Sequence, residues 1–358
     1  MLQPPYEQEG NQMATMKAAL YDGSGSMEIV EAPRPVAGPG ELVVRVRCSG
    51  ICGTDLNRYA VNNTPEKLPS GHEVAGEVVE VGPGVESWRI GDRVAIDTLA
   101  QGRGCGRCWH CLRGQYNTCQ DKVGEGGGFA EYIKRLADGC FRLTDGLSWE
   151  EGALVEPLAV GVHGLRRGNL AAGETVVVLG SGTIGLTTLV AARALGAEKV
   201  FLTARHPQQT EMALRLGADA ALPSDGPDLW EAVAAATGGR GADVVVETVG
   251  GRYLEATLRQ AVEVARPQGR VVVQGIHHAP VPVEMLLPLL KEQSIIFSQC
   301  YSVLDGRHDY QIAIDLLATS GVPVKDMVTH SFPLSEMQEA LRTAGDKRTG
   351  AIKVQVAP

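Results

Sequence analysis

The sequence predicts an α/β chain of two units, one mostly β and barrel-like, the other doubly wound on a parallel sheet. Three observations carry that expectation. The chain has 358 residues, more than the roughly 250–300 at which a single hydrophobic core stops growing. From Met16 to about Gly146, short alternating runs (KAALY, ELVVRVRCSG, EVAGEVVEVG, DRVAI, FAEYIKR) are broken by glycine, as in a compact antiparallel unit. From about Gly173 the rhythm changes to continuous apolar runs, ETVVVLG, KVFLTA, ADVVVETVG and GRVVVQG, separated by helical patterns such as LTTLVAARALGA and HPQQTEMALRLGA. Strands that are apolar on both faces and alternate with helices belong to a parallel sheet covered on both sides.

The flanking segments follow. Residues 1–15, MLQPPYEQEGNQMAT, hold two prolines and no apolar core, so a disordered leader is expected rather than a secretory signal. Beyond about Ser298, SVLDGRHDYQIAIDLLATSG reads as a loop and helix, and SFPLSEMQEALRTAG as a second helix capped by Ser335. The tail GAIKVQV is a strand able to return to the first unit.

Composition narrows the function. With 33 basic against 42 acidic side chains the net charge is −9, and no basic run offers a surface for nucleic acid or an anionic membrane. The apolar stretch from Val176 to Ala197 could span a bilayer by length, but Gly180, Gly182, Gly185 and Arg193 interrupt it, and a strand, tight turn and helix explain it better. Of eight cysteines, four fall within GCGRCWHCLRGQYNTC. That clustering points to metal ligation in a reducing compartment, hence a cytoplasmic protein, rather than to disulfides.

Three constellations carry chemistry. Gly180, Gly182 and Gly185 form G-x-G-x-x-G directly after a strand and at the start of a helix, with Thr183 and Ile184 inside the motif. Backbone N–H groups and the positive helix end can there approach a dinucleotide pyrophosphate. Cys105, Cys108, Cys111 and Cys119 can close a tetrahedron around a structural zinc with no open position. Free thiols so close together would oxidise, and a zinc knuckle gripping nucleic acid conflicts with the acidic chain. The third set is dispersed: Cys52 in GICGTD, His72 and Glu73 in SGHEVAG, and Glu156 in LVEPLAVGVH. One thiolate, one imidazole and one carboxylate suffice for a catalytic zinc with a free position, although each residue alone has an ordinary structural reading.

Taken together, CGTD, GHEVAGEVVEVGPGV with Gly71, His72, Glu73 and Gly76, the four-cysteine loop, EPLAV and GSGTIG occur in consistent order from Met16 to the C-terminus. They resemble the zinc-dependent medium-chain dehydrogenase/reductase family, with its alcohol, polyol and threonine dehydrogenases. The resemblance implies a GroES-like catalytic domain over 16–159 and 299–358, and a Rossmann domain over 160–298. It implies that Cys52, His72 and Glu156 hold the catalytic zinc, with Glu73 beside it, able to ligate in exchange or through water. Two zinc ions per chain follow, in a homodimer or homotetramer. Thr54 resembles the hydroxyl that accepts the substrate's hydrogen bond and starts the proton relay.

The implied reaction is hydride transfer between a secondary alcohol or polyol and a nicotinamide dinucleotide, with an L-threonine 3-dehydrogenase-like enzyme as the alternative. Glutamate in EPLAV, in place of the cysteine of liver-type alcohol dehydrogenases, favours the polyol and threonine branches. Two departures stand out. Asn57 occupies the usual relay-histidine position and cannot take up a proton near neutral pH. In FSQCYSV only Tyr301 is retained and Cys300 stands where polyol dehydrogenases tend to have arginine, which argues against a sorbitol-like substrate.

The cofactor expectation rests on the end of KVFLTA. NAD-specific members place an acid about 20 residues past the glycine motif, on the adenosine ribose. Here Ala204 stands at that point, followed by Arg205 and His206. Without a carboxylate to repel a 2′-phosphate, and with Arg205 offering planar donors, NADP is expected ahead of NAD; an NAD-dependent member is the alternative. Val249 and Gly275 are counted with these residues as cofactor-binding.

Overall fold

The computed structural model describes residues 14–61, 63–123, 126–224 and 228–358. Most of the expected disordered leader, up to residue 13, lies outside them. Strands β1 (Thr15–Tyr21) and β2 (Met27–Pro33) form an antiparallel pair. β3 (Glu41–Gly50), β4 (Glu73–Val81), β5 (Arg93–Asp97), β6 (Tyr132–Leu136) and β7 (Cys140–Arg142) build most of a seven-stranded sheet. Helix α1 (Gly53–Val61) joins β3 to β4, and α2 (Trp149–Arg167) leaves the sheet.

The second sheet is parallel: β8 (Thr175–Leu179), β9 (Lys199–Ala204), β10 (Ala220–Pro223), β11 (Ala242–Glu247), β12 (Ala265–Val273) and β13 (Ser294–Phe297). Between them run α3 (Thr183–Ala194), α4 (Pro207–Arg215), α5 (Asp228–Thr237), α6 (Leu254–Val264) and α7 (Leu286–Leu290). The strand order β10-β9-β8-β11-β12-β13 reverses between β8 and β11, the point where a doubly wound sheet opens a crevice at its carboxyl ends. β8 shows why its sequence is apolar throughout. Val176 and Val178 enter one core with Leu186 and Leu189, whereas Val177 and Leu179 enter another with Leu258 and Val262.

The chain then returns. After the hairpin β14 (Val303–Leu304) and β15 (Arg307–His308) come α8 (Asp309–Thr319), β16 (Val328–Pro333), α9 (Met337–Gly345) and β17 (Lys353–Ala357). β17 pairs in parallel with β16 and antiparallel with β3 at Ser49 and Gly50, so the GAIKVQV strand joins the first sheet. Ser335 does not cap α9; it lies inside a one-turn 3-10 segment over Leu334–Glu336, and Glu336 takes the cap position. β10 and β13 were not legible as strands because they are four-residue pieces that are only partly buried. Among the described residues no helix is long and apolar enough to cross a membrane.

α2 is the mechanical link between the sheets, and it runs across residue 160. It begins with a capping box, Ser148 accepting from Glu151 N while the Glu151 carboxylate accepts from Ser148 N. Gly161 lets it cross α3 closely, since a Cβ there would stand 2.9 Å from Thr188 Cα. Its last turns are tied to α8: the fully buried Asp309 carboxylate lies 2.7 Å from His163 Nδ1, accepts from Arg166 Nη1 at 2.5 Å and from Ser302 N at 2.8 Å. Truncating one member of a buried ionic network leaves the others uncompensated, a loss of roughly 3–5 kcal/mol. Asp309→Ala is therefore expected to lower the unfolding free energy by that order, read as a fall in the urea midpoint at unchanged slope, and a change below about 1 kcal/mol would reject the network as the anchor of α2.

Candidate active site and dinucleotide cleft

The glycine turn sits between β8 and α3. Gly180 has φ +104° and donates its N–H to Thr203 Oγ1 at 2.8 Å. A Cβ on Gly185 would lie 2.0 Å from Gly180 O, so internal packing forbids any side chain there. Gly182 differs: it is the N-cap of α3, and a Cβ on it would meet nothing within 4 Å. The open space in front of that helix end is where an anion gains from the backbone N–H groups and the dipole.

A cleft of about 1220 Å³ opens there, lined by Gly180, Gly182, Ala204, Arg205, His206 and Val249 among others. Thr183, Ile184 and Gly185 form the first turn of α3 behind it, and Thr183 Oγ1 donates to Ile352 O. Gly275 packs tightly against Gly250, where a Cβ would reach within 2.4 Å of its N. Ala204 ends β9 as a buried residue, and the strand carries no carboxylate at that point. The Arg205 guanidinium lies 4.7 Å over the Tyr253 ring. Tyr253, Arg259 and Lys347 also line the cleft, alongside one acid, Glu263. None of these four was singled out from the sequence, because nothing local marks residues that only the α6 and C-terminal placements bring to the cleft.

The four sulfurs of Cys105, Cys108, Cys111 and Cys119 lie within 4.8 Å of one another. Backbone N–H groups already favour thiolates: Cys105 N points at Cys119 Sγ and Cys111 N at Cys108 Sγ, and the latter bond leads in holding Cys108 down to about 6. Burial instead pushes Cys111 up to about 12. Four soft donors in one compact set fit a tetrahedral zinc.

The dispersed set also converges. Cys52, His72 and Glu73 present ligand atoms within 4.8 Å of one another. Cys52 enters α1 with its N–H on Asp55 Oδ2 at 2.9 Å, and Asp55 Oδ1 is 3.8 Å from His72 Nδ1. Burial works against a charged His72, yet the charges of Asp55 and Cys52 hold its pKa well above the ordinary value. Glu73 starts β4, and both its oxygens accept from Lys353 Nζ at 2.6 Å. Lys353 was missed by the sequence reading. Glu156, on α2, stands outside the compact set; burial pushes it up to about 8, with His72 opposing and Glu73 reinforcing the shift. A carboxyl so placed gains strongly from a nearby cation, and thiol, imidazole and carboxylates together suit zinc with a position left open. Thr54 and Asn57 are exposed on α1, and Cys300 is half-buried with φ +51°.

The family profile described as "Alcohol dehydrogenase GroES-like domain" matches residues 38–145, and "Zinc-binding dehydrogenase" matches 183–319. Sorbitol dehydrogenase of Bacillus subtilis (strain 168) is 33% identical over 353 residues, covering 96% of this chain and 97% of its own. The chain belongs to the zinc-dependent medium-chain dehydrogenase/reductase family. It is an NAD(P)-dependent alcohol or polyol oxidoreductase with GroES-like and Rossmann-like domains. A Sinorhizobium meliloti 1021 structure described as a zinc-binding dehydrogenase bound to NADP superposes with a TM-score of 0.82 at 31% identity, covering 97% of this chain and 100% of that one. An alcohol dehydrogenase from Escherichia coli CFT073 solved with NADH superposes with a TM-score of 0.84 at 28% identity, covering 96% and 99%.

The two glycines of this dehydrogenase should separate experimentally. Gly182→Ala is expected to keep the melting temperature while weakening dinucleotide binding by about tenfold or more, because the methyl projects only into the ligand space. Gly185→Ala should lower the melting temperature itself. Fluorescence titration with cofactor beside thermal melts checks both, and equal behaviour of the two variants would refute the distinction.

Proposed function

We propose that this dehydrogenase transfers a hydride between a secondary alcohol or polyol and NADP, using two zinc sites of different purpose. Cys52, His72 and Glu156, with Glu73 in exchange, would hold the catalytic ion, and the four-cysteine loop the structural one. The observation that carries the reading is the direct link between cofactor turn and metal set: Thr183 at the start of α3 holds Ile352 O, and the next residue, Lys353, grips Glu73.

Bound zinc supplies Lewis-acid polarisation of the substrate hydroxyl. Thr54, two residues after Cys52, would accept the hydrogen of that hydroxyl. Asn57 can hydrogen-bond but cannot take up the proton, so the proton would leave through water or another base. Arg205, supported from below by Tyr253, is the group for a 2′-phosphate, and Ala204 offers nothing to repel it. We further assign residues 16–159 with 299–358 to the catalytic unit and 160–298 to the cofactor unit. A cytoplasmic location accords with the eight cysteines, all unpaired.

Homo-oligomer formation is supported by an apolar edge. Among the described residues β13 pairs on one side only, with β12, and Phe297 at its end is 73% exposed. Met285, Leu286, Leu289 and Leu290 on and before α7 are exposed as well. Such an edge invites a second copy in a homodimer or homotetramer.

Elemental analysis of protein prepared without chelator is expected to give two zinc ions per chain, and Cys52→Ser one, with turnover lost and the fold kept. A wild-type value of one would remove one of the sites from this reading. An alcohol panel run with both cofactors tests the rest: kcat/KM should be higher with NADP, and Arg205→Leu should lower the NADP value about tenfold or more while sparing NAD. A preference for NAD in the wild type would sink the cofactor assignment.

A further inference from the structure

Beside His72 lies a second, smaller cavity of about 200 Å³, bounded by α1, the segment around Ser70 and the loop after β5. That is below the size of a whole ligand pocket, and suits one end of a small molecule. Two arginines line it, Arg58 and Arg103. In a chain of net charge −9, a cleft with two arginines runs against the overall field.

Among the described residues the one acid lining it, Asp55, is turned to other partners. One of its oxygens accepts from Cys52 N and the other faces His72 Nδ1. Arg58 is fixed in place: its Nε is 3.4 Å from Glu66 Oε1, and its Nη1 donates to Ser70 Oγ at 3.1 Å. Glu66 is itself held by Ser70 Oγ, so this pair orients the guanidinium and leaves Nη2 without a partner among the described residues. Arg103 donates only Nε, to Val123 O at 3.4 Å, and both its Nη groups have no partner among the described residues. Two planar donor groups with free N–H bonds, one anchored and one with both Nη unpaired, match the geometry of an oxyanion.

We propose that this cavity binds an oxyanion at the far end of the substrate, a phosphate ester or a carboxylate, between Arg58 and Arg103, while the reacting carbinol lies towards His72. The inference rests on the alcohol-dehydrogenase reading and narrows its substrate class from neutral polyols to phosphorylated polyols or sugar acids. A neutral polyol offers no charge to Arg58 Nη2 and the two Nη groups of Arg103, whereas an anionic one forms charge-assisted hydrogen bonds to them.

The test compares kcat/KM for a hexitol, its 6-phosphate and the corresponding hexonate, with the same cofactor. At least one anionic substrate is expected to exceed the hexitol by about tenfold, the size of one charge-assisted hydrogen bond. Which of the two does so identifies the anion. Arg103→Gln should reduce that preference about tenfold or more, Arg103→Lys should keep part of it, and Arg58→Gln should reduce it also. A neutral preference in the wild type, or a ratio that Arg103→Gln leaves unchanged, overturns the proposal and leaves the dehydrogenase reading intact. If no alcohol is oxidised, that reading fails. Calorimetric binding of inorganic phosphate with the dinucleotide cleft saturated by cofactor then decides alone: binding lost in Arg103→Gln sustains the oxyanion site, and absent or unchanged binding refutes it.

Discussion

An ammonium group sealed inside the protein against a carboxylate organises the centre of this molecule. Lys353 and Glu73 are each 1% exposed, and the lysine gives its remaining donor to Ile51 O. Burial alone would strip the proton from such a lysine, but the charge of Glu73 holds it on, and its pKa lies above the ordinary value. The pair forces several other features. Gly50 must lack a side chain, since a Cβ would fall 1.8 Å from Glu73 Oε2. β17 must return from the far end of the chain to lie against β3. Because Glu73 neighbours His72, the last strand of the chain determines how much negative charge the metal set presents.

The second organising element is α2, whose middle and last turn serve different partners. Glu156 faces the metal set, while Arg166, ten residues on, is bonded to Asp309 and to the hairpin carbonyls of Leu304 and Arg307. Between them, Gln274 from the end of β12 donates to Val160 O. One rigid rod thus registers the metal set against the parallel sheet, which is the relation that hydride transfer requires of alcohol and nicotinamide.

Local rules made part of this legible and distance hid the rest. The glycine turn could be read because Gly180 needs a positive φ and Gly185 has no room for a Cβ, constraints that act within one βα turn. The four cysteines could be read because their spacing is short enough for one loop to close on one ion. Lys353 could not be read as the partner of Glu73, since 280 residues separate them and nothing near either one marks the pairing. Tyr253 under Arg205 was hidden for the same reason. His72, Glu73 and Glu156 were visible as a group only through family resemblance, and the geometry refines it by drawing Glu73 closer to Cys52 and His72 than Glu156.

The four-cysteine loop looks remote from the chemistry, but its contacts argue otherwise. Asn117 within it donates to Tyr301 O at 3.1 Å, and Val303 N donates to Gly114 O. Gly114 takes a positive φ of 74° and packs so closely on Val303 that a Cβ would come within 2.6 Å of it. The segment clamped this way carries Cys300 in the left-handed conformation, where burial first and then the charges of Glu156, Asp97 and Cys52 push its thiol up and keep it neutral. A neutral thiol there adds no charge beside Glu156 and Cys52, so Lys353 is the cation that faces Glu73. The loop thus holds the backbone that presents Cys300 to the charges of Glu156 and Cys52, and whatever orders its four sulfurs also orders that segment.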